Sequence, residues 1–452
     1  AFNGCVSLNK INLPSSLVKI GENAFNGCVS LAAIDFSTTN PEVVLSEGAF
    51  NGAGLTTLDL SSLNMKTMSD RAFFGCESLI EVKLPKNLER IGNSAFNGCI
   101  SLEKVEFGSE LTYIDVAAFN GCSALQSVEL PESLTNLMYS AFQNSGLTSV
   151  TLPKGVTEVG NAVFSGCKQL AEFNAMGELT KISDNAFYGC SALKSITIGA
   201  TVENIGKNVF NGCSSLETVT FENGANPTFG AEAFENCTSL KTITLPSGIT
   251  EISEKMFSGA GLTEIVLPDA IMTIGDRAFE NCVSLTNVTL PAKLSVIPSY
   301  MFYGSGITEI ILPATVHTIG SSAFADCEAL KTIKLSDMIT EISESAFSGS
   351  GLTEIVLPDS VRIIKNYAFM NCKSLVNVTL GNGLCKIGMS AFEGCTNVKS
   401  IVIPSRVYSL DKAFGGWGED QSITFALKKS QAAKLFGSEW LSGCNATIAY
   451  ND

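Results

Sequence analysis

Cysteine is the residue type here with the most chemistry to offer. The chain has 15, and a thiolate can act as a nucleophile, a metal ligand or a disulfide partner. The spacing argues for a different use. Cys28, Cys76, Cys99 and Cys122 each stand three residues after a phenylalanine, at Phe25, Phe73, Phe96 and Phe119, and so do their counterparts from Cys5 to Cys395. Equivalent positions in successive copies of one pattern form a ladder, whereas a catalytic or metal site draws on different positions. Where the slot lacks cysteine it holds Ala53, Ser145, Ala260, Ser305 or Ser350, all small, as a tight buried position requires. Neighbouring rungs are close enough for a disulfide, but the rows offer no unique pairing. The expectation is a row of reduced thiols packed in a core, with Cys385 and Cys444 off the row.

Other candidates for chemistry are sparse. No Cys-x-x-Cys occurs, and the single histidine, His317 in ATVHTIG, occupies a slot that is arbitrarily polar elsewhere. It reads as a solvated side chain, and it leaves neither a histidine-rich metal site nor a Ser-His-Asp triad to build. Acidic residues recur at the same surface slots, the pattern of a solvated face rather than of a general acid and base. Trp417 and Trp440 both lie near the C-terminal end, so no aromatic platform for sugars is expected. Sequons at Asn236, Asn287, Asn377 and Asn445 are short enough to arise by chance. The chain is expected to be non-enzymatic, with no catalytic residues, no metal and no cofactor.

What positions these residues is a repeat. LIEVKLPKNLERIGNSAFNGC, Leu79 to Cys99, is followed from Leu102 by LEKVEFGSELTYIDVAAFNGC, and the phenylalanine recurs from Phe2 to Phe414 at intervals of 22 to 25 residues, about 18 repeats. That period with Leu-x-x-Leu-x-Leu spacing is the leucine-rich-repeat signature. Leu79, Val82 and Leu84 fit a short inward-facing strand that Pro85 ends, because proline lacks the donor a ladder needs. Leu88 and Ile91 make a second inward pair, suited to a short strand on the opposite face, and Gly92 is placed at a bend. Asn93 to Phe96 reads as one turn of 3₁₀ or α-helix, with Phe96 filling the core. Parallel strands joined by crossovers coil right-handedly. The expected fold is therefore a repeat solenoid, a right-handed leucine-rich-repeat horseshoe with a parallel concave sheet and short helical turns or short strands on the convex side.

The repeats are not uniform. Asn-Pro segments lengthen two of them, at Ser37 to Val44 and Glu222 to Thr228, and these should loop out. From Phe257 the pattern doubles, with FSGAGLTEIVLP, FYGSGITEIILP and FSGSGLTEIVLP recurring every 45 residues between cysteine-bearing units. Residues 1–415 read as solenoid and 416–452 as a C-terminal capping unit of strand, short helix and strand, since an open end would expose apolar core and unpaired strand groups. Ala1 falls inside a repeat without a counterpart cap, so the N-terminus is expected to be truncated.

Hydrophobic residues are 45% and charged residues 16% of the 452, enough apolar material for a continuous core. A net charge of −15 and a pI near 4.7 argue against nucleic acid or anionic lipid as partners, which need a basic face. The uncharged stretch Ser133 to Pro153 is too rich in Ser, Thr, Asn and Gly to enter a membrane.

The unit LxxIxLPxxLxxIGxxAFxxC resembles the BspA-like, or Treponema pallidum type, leucine-rich repeat over residues 1 to about 415. The C-terminal strand-helix-strand looks like that family's cap. The resemblance implies a surface or secreted protein, in some members an adhesin for extracellular-matrix proteins or for other cells. The function expected from it is non-enzymatic protein binding or adhesion at the cell surface or outside the cell, with a host matrix or cell-surface protein as partner. The alternative is a structural spacer or self-assembling rod.

The candidate binding residues lie between the inward positions of the strands. There the first half carries Asn12, Asp35, Asp59, Lys83, Glu106 and Glu129, whereas the second half carries Thr244, Val266, Thr289, Ile311, Lys334, Val356, Thr379 and Val402. Beside the second row run Glu264, Glu309 and Glu354, a carboxylate on every second strand. Glu264, Val266, Glu309, Ile311, Glu354 and Val356 are the expected binding residues, an exposed β-branched stripe edged by acids.

Overall fold

The computed structural model describes residues 1–436 and 439–451. It is a parallel-stranded leucine-rich-repeat solenoid of about 19 repeats with little helix, and it divides into two compact units, Ala1–Cys237 and Thr238–Asp452. Around the strand Glu81–Lys83, Leu79, Val82 and Leu84 are buried, because alternate side chains of a strand point to opposite faces. Glu81 pairs in parallel with Thr57 on one side and Lys104 on the other. The second inward pair also forms a strand, Arg90–Ile91, which pairs with Thr67–Met68 and Tyr113–Ile114.

The segment between these strands and the cysteine departs from the expected helical turn. Ser94 has φ 53°, in the left-handed basin, where a helix cannot pass. The amides of Ser94, Phe96 and Gly98 leave the repeat and reach Val116 O, Ala118 O and Asn120 O at 2.9, 2.8 and 2.8 Å. The alternate amides of Ala95, Asn97 and Cys99 turn back to Gly92 O, Ser94 O and Phe96 O at 3.3, 3.2 and 3.2 Å. A helix would spend every amide internally, whereas this arrangement gives half of them to the next repeat. A left-handed residue costs about 1–2 kcal/mol, and the inter-repeat bond that it aims offsets part of that cost. Among the described residues, the α-helix Lys429–Phe436 and the 3₁₀ turn Glu439–Leu441 are the helical elements, both in the C-terminal segment.

Gly92 is also needed for a reason other than the expected bend. A Cβ there would stand 2.6 Å from Met68 O and 2.8 Å from Asp70 N of the preceding repeat, so it is the closeness of the neighbouring backbone that excludes a side chain.

The phenylalanines form the spine of each unit. In Ala1–Cys237 adjacent rings lie 5.0 to 6.1 Å apart, and in Thr238–Asp452 5.2 to 5.8 Å. Each such contact adds about 0.5–1.5 kcal/mol beyond the area that it buries. At the C-terminal end the strands Ser400–Ile403, Ser422–Phe425 and Thr447–Tyr450 continue one parallel sheet. Phe425 packs there against Phe436, Trp440 and Tyr450, at 5.4, 5.4 and 5.5 Å between ring centroids.

Close approach predicts a contrast between two glycines. Gly92→Ala should cost about 2 kcal/mol or more, because backbone must shift to admit the methyl group. Gly199→Ala should be near neutral, since the nearest atoms are Glu222 Oε2 at 3.6 Å and Thr201 Oγ1 at 3.9 Å. Urea denaturation of the two variants checks this, and equal effects would refute the steric reading.

Candidate interaction face

The cysteine row satisfies backbone rather than building a reactive site. Cys76 Sγ donates to Phe50 O at 3.1 Å, Cys99 to Phe73 O at 3.2 Å and Cys122 to Phe96 O at 3.2 Å. Each thiol thus caps the carbonyl of the phenylalanine one repeat earlier. All the cysteines are free thiols, with Cys5 exposed, Cys385 and Cys444 half-buried and the remaining ladder buried. Burial pushes the thiols of Cys76, Cys282 and Cys327 up to about 12. At Cys167 burial, partly countered by a hydrogen bond from Ser145, leaves the value at about 11. A thiol so hard to ionise is a poor nucleophile.

Sequence reasoning missed the last rung. Trp417 stands three residues after Phe414, in the cysteine slot, and its Nε1–H donates to Phe392 O at 2.9 Å. The indole makes the thiol's bond and fills more of the core near the end, and the spacing from Phe414 was the signal. His317 is exposed, with Nδ1 2.9 Å from Thr318 Oγ1. Among the described residues no group of three or more His, Cys, Asp or Glu is placed to hold a metal ion.

The expected binding residues do come together on one face of the second unit. In the strands Glu264–Val266, Glu309–Ile311 and Glu354–Val356 the central Ile265, Ile310 and Ile355 are buried and the flanking residues exposed. Val266, Ile311 and Val356 are 69%, 73% and 61% exposed, and Val402 57%. Each acid-bearing strand pairs with a strand carrying neutral polar side chains beside it: Glu264 with Asn287, Glu309 with Thr332, Glu354 with Asn377. In the neighbouring row Val266 faces Thr289, Ile311 faces Lys334 and Val356 faces Thr379.

Corner length explains this pairing by twos. Phe302 to Ile307 and Phe347 to Leu352 are one residue shorter than Phe279 to Leu285, and the shortened corner is drawn against its neighbour. A Cβ on Gly351 would meet Glu328 O at 1.9 Å. Between pairs the full ladder lapses, but Thr308 N still reaches Thr286 O at 3.5 Å and Thr353 N reaches Lys331 O at 3.1 Å.

Charge separates this face from its counterpart in the first unit. There Lys104 Nζ lies 2.9 Å from Glu81 and 2.5 Å from Glu106, and its hydrogen bond holds the Glu106 carboxyl below the usual carboxylate range. Among the described residues, no ion pair engages Glu264, Glu309 or Glu354. Thr242, Thr244, Glu264, Val266 and Pro268 line an open depression of about 530 Å³ at one end of the stripe.

Stacked parallel strands, a phenylalanine spine and a solvent-facing strand surface define a leucine-rich-repeat scaffold. The sequence model of the BspA type leucine rich repeat region matches six overlapping stretches, 1–124, 43–171, 90–217, 204–331, 250–375 and 295–416, and the chain belongs to that family. A leucine-rich repeat protein from Bacteroides ovatus is 26% identical, with a TM-score of 0.62 over 85% of this chain and 88% of that one. A leucine rich cell surface protein from Faecalibacterium prausnitzii is 21% identical, with a TM-score of 0.41 over 85% of this chain and 91% of that one. The pneumococcal vaccine antigen PcpA is 16% identical, with a TM-score of 0.43 over 88% of this chain and 85% of that one. No curated protein matches the chain.

The buried thiols predict an alkaline loss of stability. The folded values of Cys76, Cys167, Cys282 and Cys327 lie above the unfolded value near 8.5, so their contribution is complete below about pH 8 and is lost as pH rises toward 11–12. Each thiol adds a slope of up to about 1.4 kcal/mol per pH unit in that window. Urea midpoints from pH 7 to 11 measure it, and Cys76→Ala with Cys122→Ala should flatten the fall. A thiol reagent at pH 7.5 should label Cys5, Cys385 and Cys444 in the native protein and the ladder only after unfolding; rapid native labelling of Cys99 would contradict the burial.

Proposed function

We propose that the chain is a protein-binding, adhesive module of a cell-surface or secreted protein, and that it binds through the strand face carrying Glu264, Val266, Glu309, Ile311, Glu354 and Val356. One observation carries the reading. A molecule with no buried side-chain polar atom left unpartnered among its described residues nevertheless leaves most of the surface of Val266, Ile311 and Val356 exposed to water. Threonine serves the strand equally well at Thr289 and Thr379, so the large apolar side chains are not demanded by the fold. Apolar side chains spaced among acids suit a partner that covers the aliphatic groups and meets the charges with cations.

Membership of a repeat family whose solenoids serve as interaction scaffolds supports the reading. Among the described residues no helix is long and apolar enough to cross a membrane. A host matrix or cell-surface protein is the partner class proposed.

Immobilised matrix proteins and whole cells should retain the purified chain at physiological salt. The triple variant Val266→Ser, Ile311→Ser, Val356→Ser should lose at least about tenfold in affinity, given 1–2 kcal/mol for each well-covered side chain, with an unchanged melting curve. Retention unaltered by the triple variant would move binding off this face, and no retention on any surface would remove the adhesive reading. Light scattering separates the rod alternative, because an adhesive module stays monodisperse at high concentration.

A further inference from the structure

The spacing of the unpaired carboxylates carries more than the existence of a binding face. Resting on the function proposed above, we propose that the occupant of this face is a single polyproline-II chain with a Lys or Arg at every third residue, lying across the strands. Glu264, Glu309 and Glu354 occupy alternate strands in equivalent register. Neighbouring strands lie about 4.8 Å apart, so the carboxylates recur every ~10 Å. Backbone bonds from Thr308 to Thr286 and from Thr353 to Lys331 hold the strand spacing where the ladder lapses.

Few backbones present identical side chains at that interval on one side. Polyproline II has three residues per turn and rises about 3.1 Å per residue, returning a side chain to the same face every ~9.3 Å. A β-strand returns one every ~6.7 Å, too short by a third. An α-helix comes close at seven residues, ~10.5 Å, but its carbonyls are spent internally.

That last difference decides between them. Asn287 and Thr332 stand between the carboxylates and Asn377 follows Glu354, all exposed and each bearing a donor. A polyproline-II backbone carries unspent carbonyls that need donors at that half-period, and a helix has none to offer. The row of Val266, Ile311 and Val356 runs parallel to the acids two residues along each strand, in place to meet the pyrrolidine rings. Lys334 interrupts the apolar row between Ile311 and Val356 and offers a cation to a backbone carbonyl of the ligand.

Fluorescence anisotropy of labelled peptides with the full chain tests the proposal. (Pro-Pro-Lys)₆, (Pro-Lys)₆ and (Pro-Pro-Pro-Lys)₆ carry equal charge on one backbone type and differ in period. The three-residue period should bind at least about fivefold tighter than the other two at low salt, and binding should weaken steeply with salt. The variant Glu264→Gln, Glu309→Gln, Glu354→Gln should lose about tenfold, as expected for three partly exposed pairs. Removing equal charge by Glu328→Gln, Glu344→Gln, Glu419→Gln should leave binding within about twofold.

Equal affinity across the three periods, or equal loss in the two glutamine variants, would reduce the effect to net charge and overturn the proposal. Tighter binding of a helical peptide with lysine at every seventh residue would replace the ligand by a helix. If (Pro-Pro-Lys)₆ does not bind while the serine variant still loses retention on matrix proteins, the polyproline-II inference falls and the adhesive reading stands.

Discussion

One constraint disciplines each unit: alternate amides of the segment around a core phenylalanine find carbonyls one repeat away. Phe96 N to Ala118 O at 2.8 Å and Phe119 N to Ala141 O at 2.8 Å are successive links. The bond leaves little freedom in how far apart repeats stand, and side chains in between are selected for that rise. Ala95 is small because the next repeat is close, Phe96 is flat and stacks on its copy, and Cys99 reaches back to the carbonyl that the ladder leaves half-satisfied. The left-handed residue before each Ala-Phe pair is what points alternate amides outward. Its strain is tolerated in repeat after repeat because the ladder over-determines the backbone there.

Such a molecule has near-neighbour energetics. Each repeat contacts the one before and the one after, so the loss of a rung should propagate as weakened interfaces on either side rather than as a hole in a global core. Thiols fit the role better than hydroxyls would throughout, because a sulfur packs as a small hydrophobe while still offering a weak donor. Where serine takes the slot, at Ser145 and Ser350, its oxygen lies 3.2 and 3.4 Å from Cys167 and Cys372 sulfur of the next repeat, so the hydroxyl is not stranded.

Much of this was legible in the sequence, and the parts that were not share a cause. The period, the inward Leu79, Val82, Leu84, Leu88 and Ile91, the phenylalanine spine and the reduced cysteines follow from residue type at fixed spacing. The turn before Phe96 was misread as helical because Ser94, like Arg71, Tyr300 and Lys412, sits in the left-handed basin without being glycine. Nothing in its side chain announces that, since an inter-repeat bond imposes it. Gly92 was read only as a bend for the same reason, its true neighbour being 22 residues or more away in sequence and in contact only after stacking. Trp417 escaped notice because its type differs from cysteine although its position does not. The candidate face was legible as a list of outward slots. That the acids there lack ion pairs among the described residues, while Lys104 is clamped between two acids in the first unit, needed coordinates.

The doubled period gives the second unit a property that a uniform solenoid lacks. With identical repeats, a ligand lying across the strands meets the same side chains at every 4.8 Å or so, and any register shifted by one strand is equivalent to the last. Alternating a short corner with a long one, as Phe302 to Ile307 alternates with Phe279 to Leu285, distinguishes odd strands from even ones in the backbone itself. Strands then pair by twos, Glu309 with Thr332 and Glu354 with Asn377, and a one-strand slip would set a ligand's cations on amides and hydroxyls instead of carboxylates. Spacing on this surface therefore discriminates by mismatch as well as by attraction, and a repeat whose outward slots are otherwise free to vary acquires a ruler at the cost of one corner residue and of the cysteine in its buried slot, replaced by Ala260, Ser305 or Ser350.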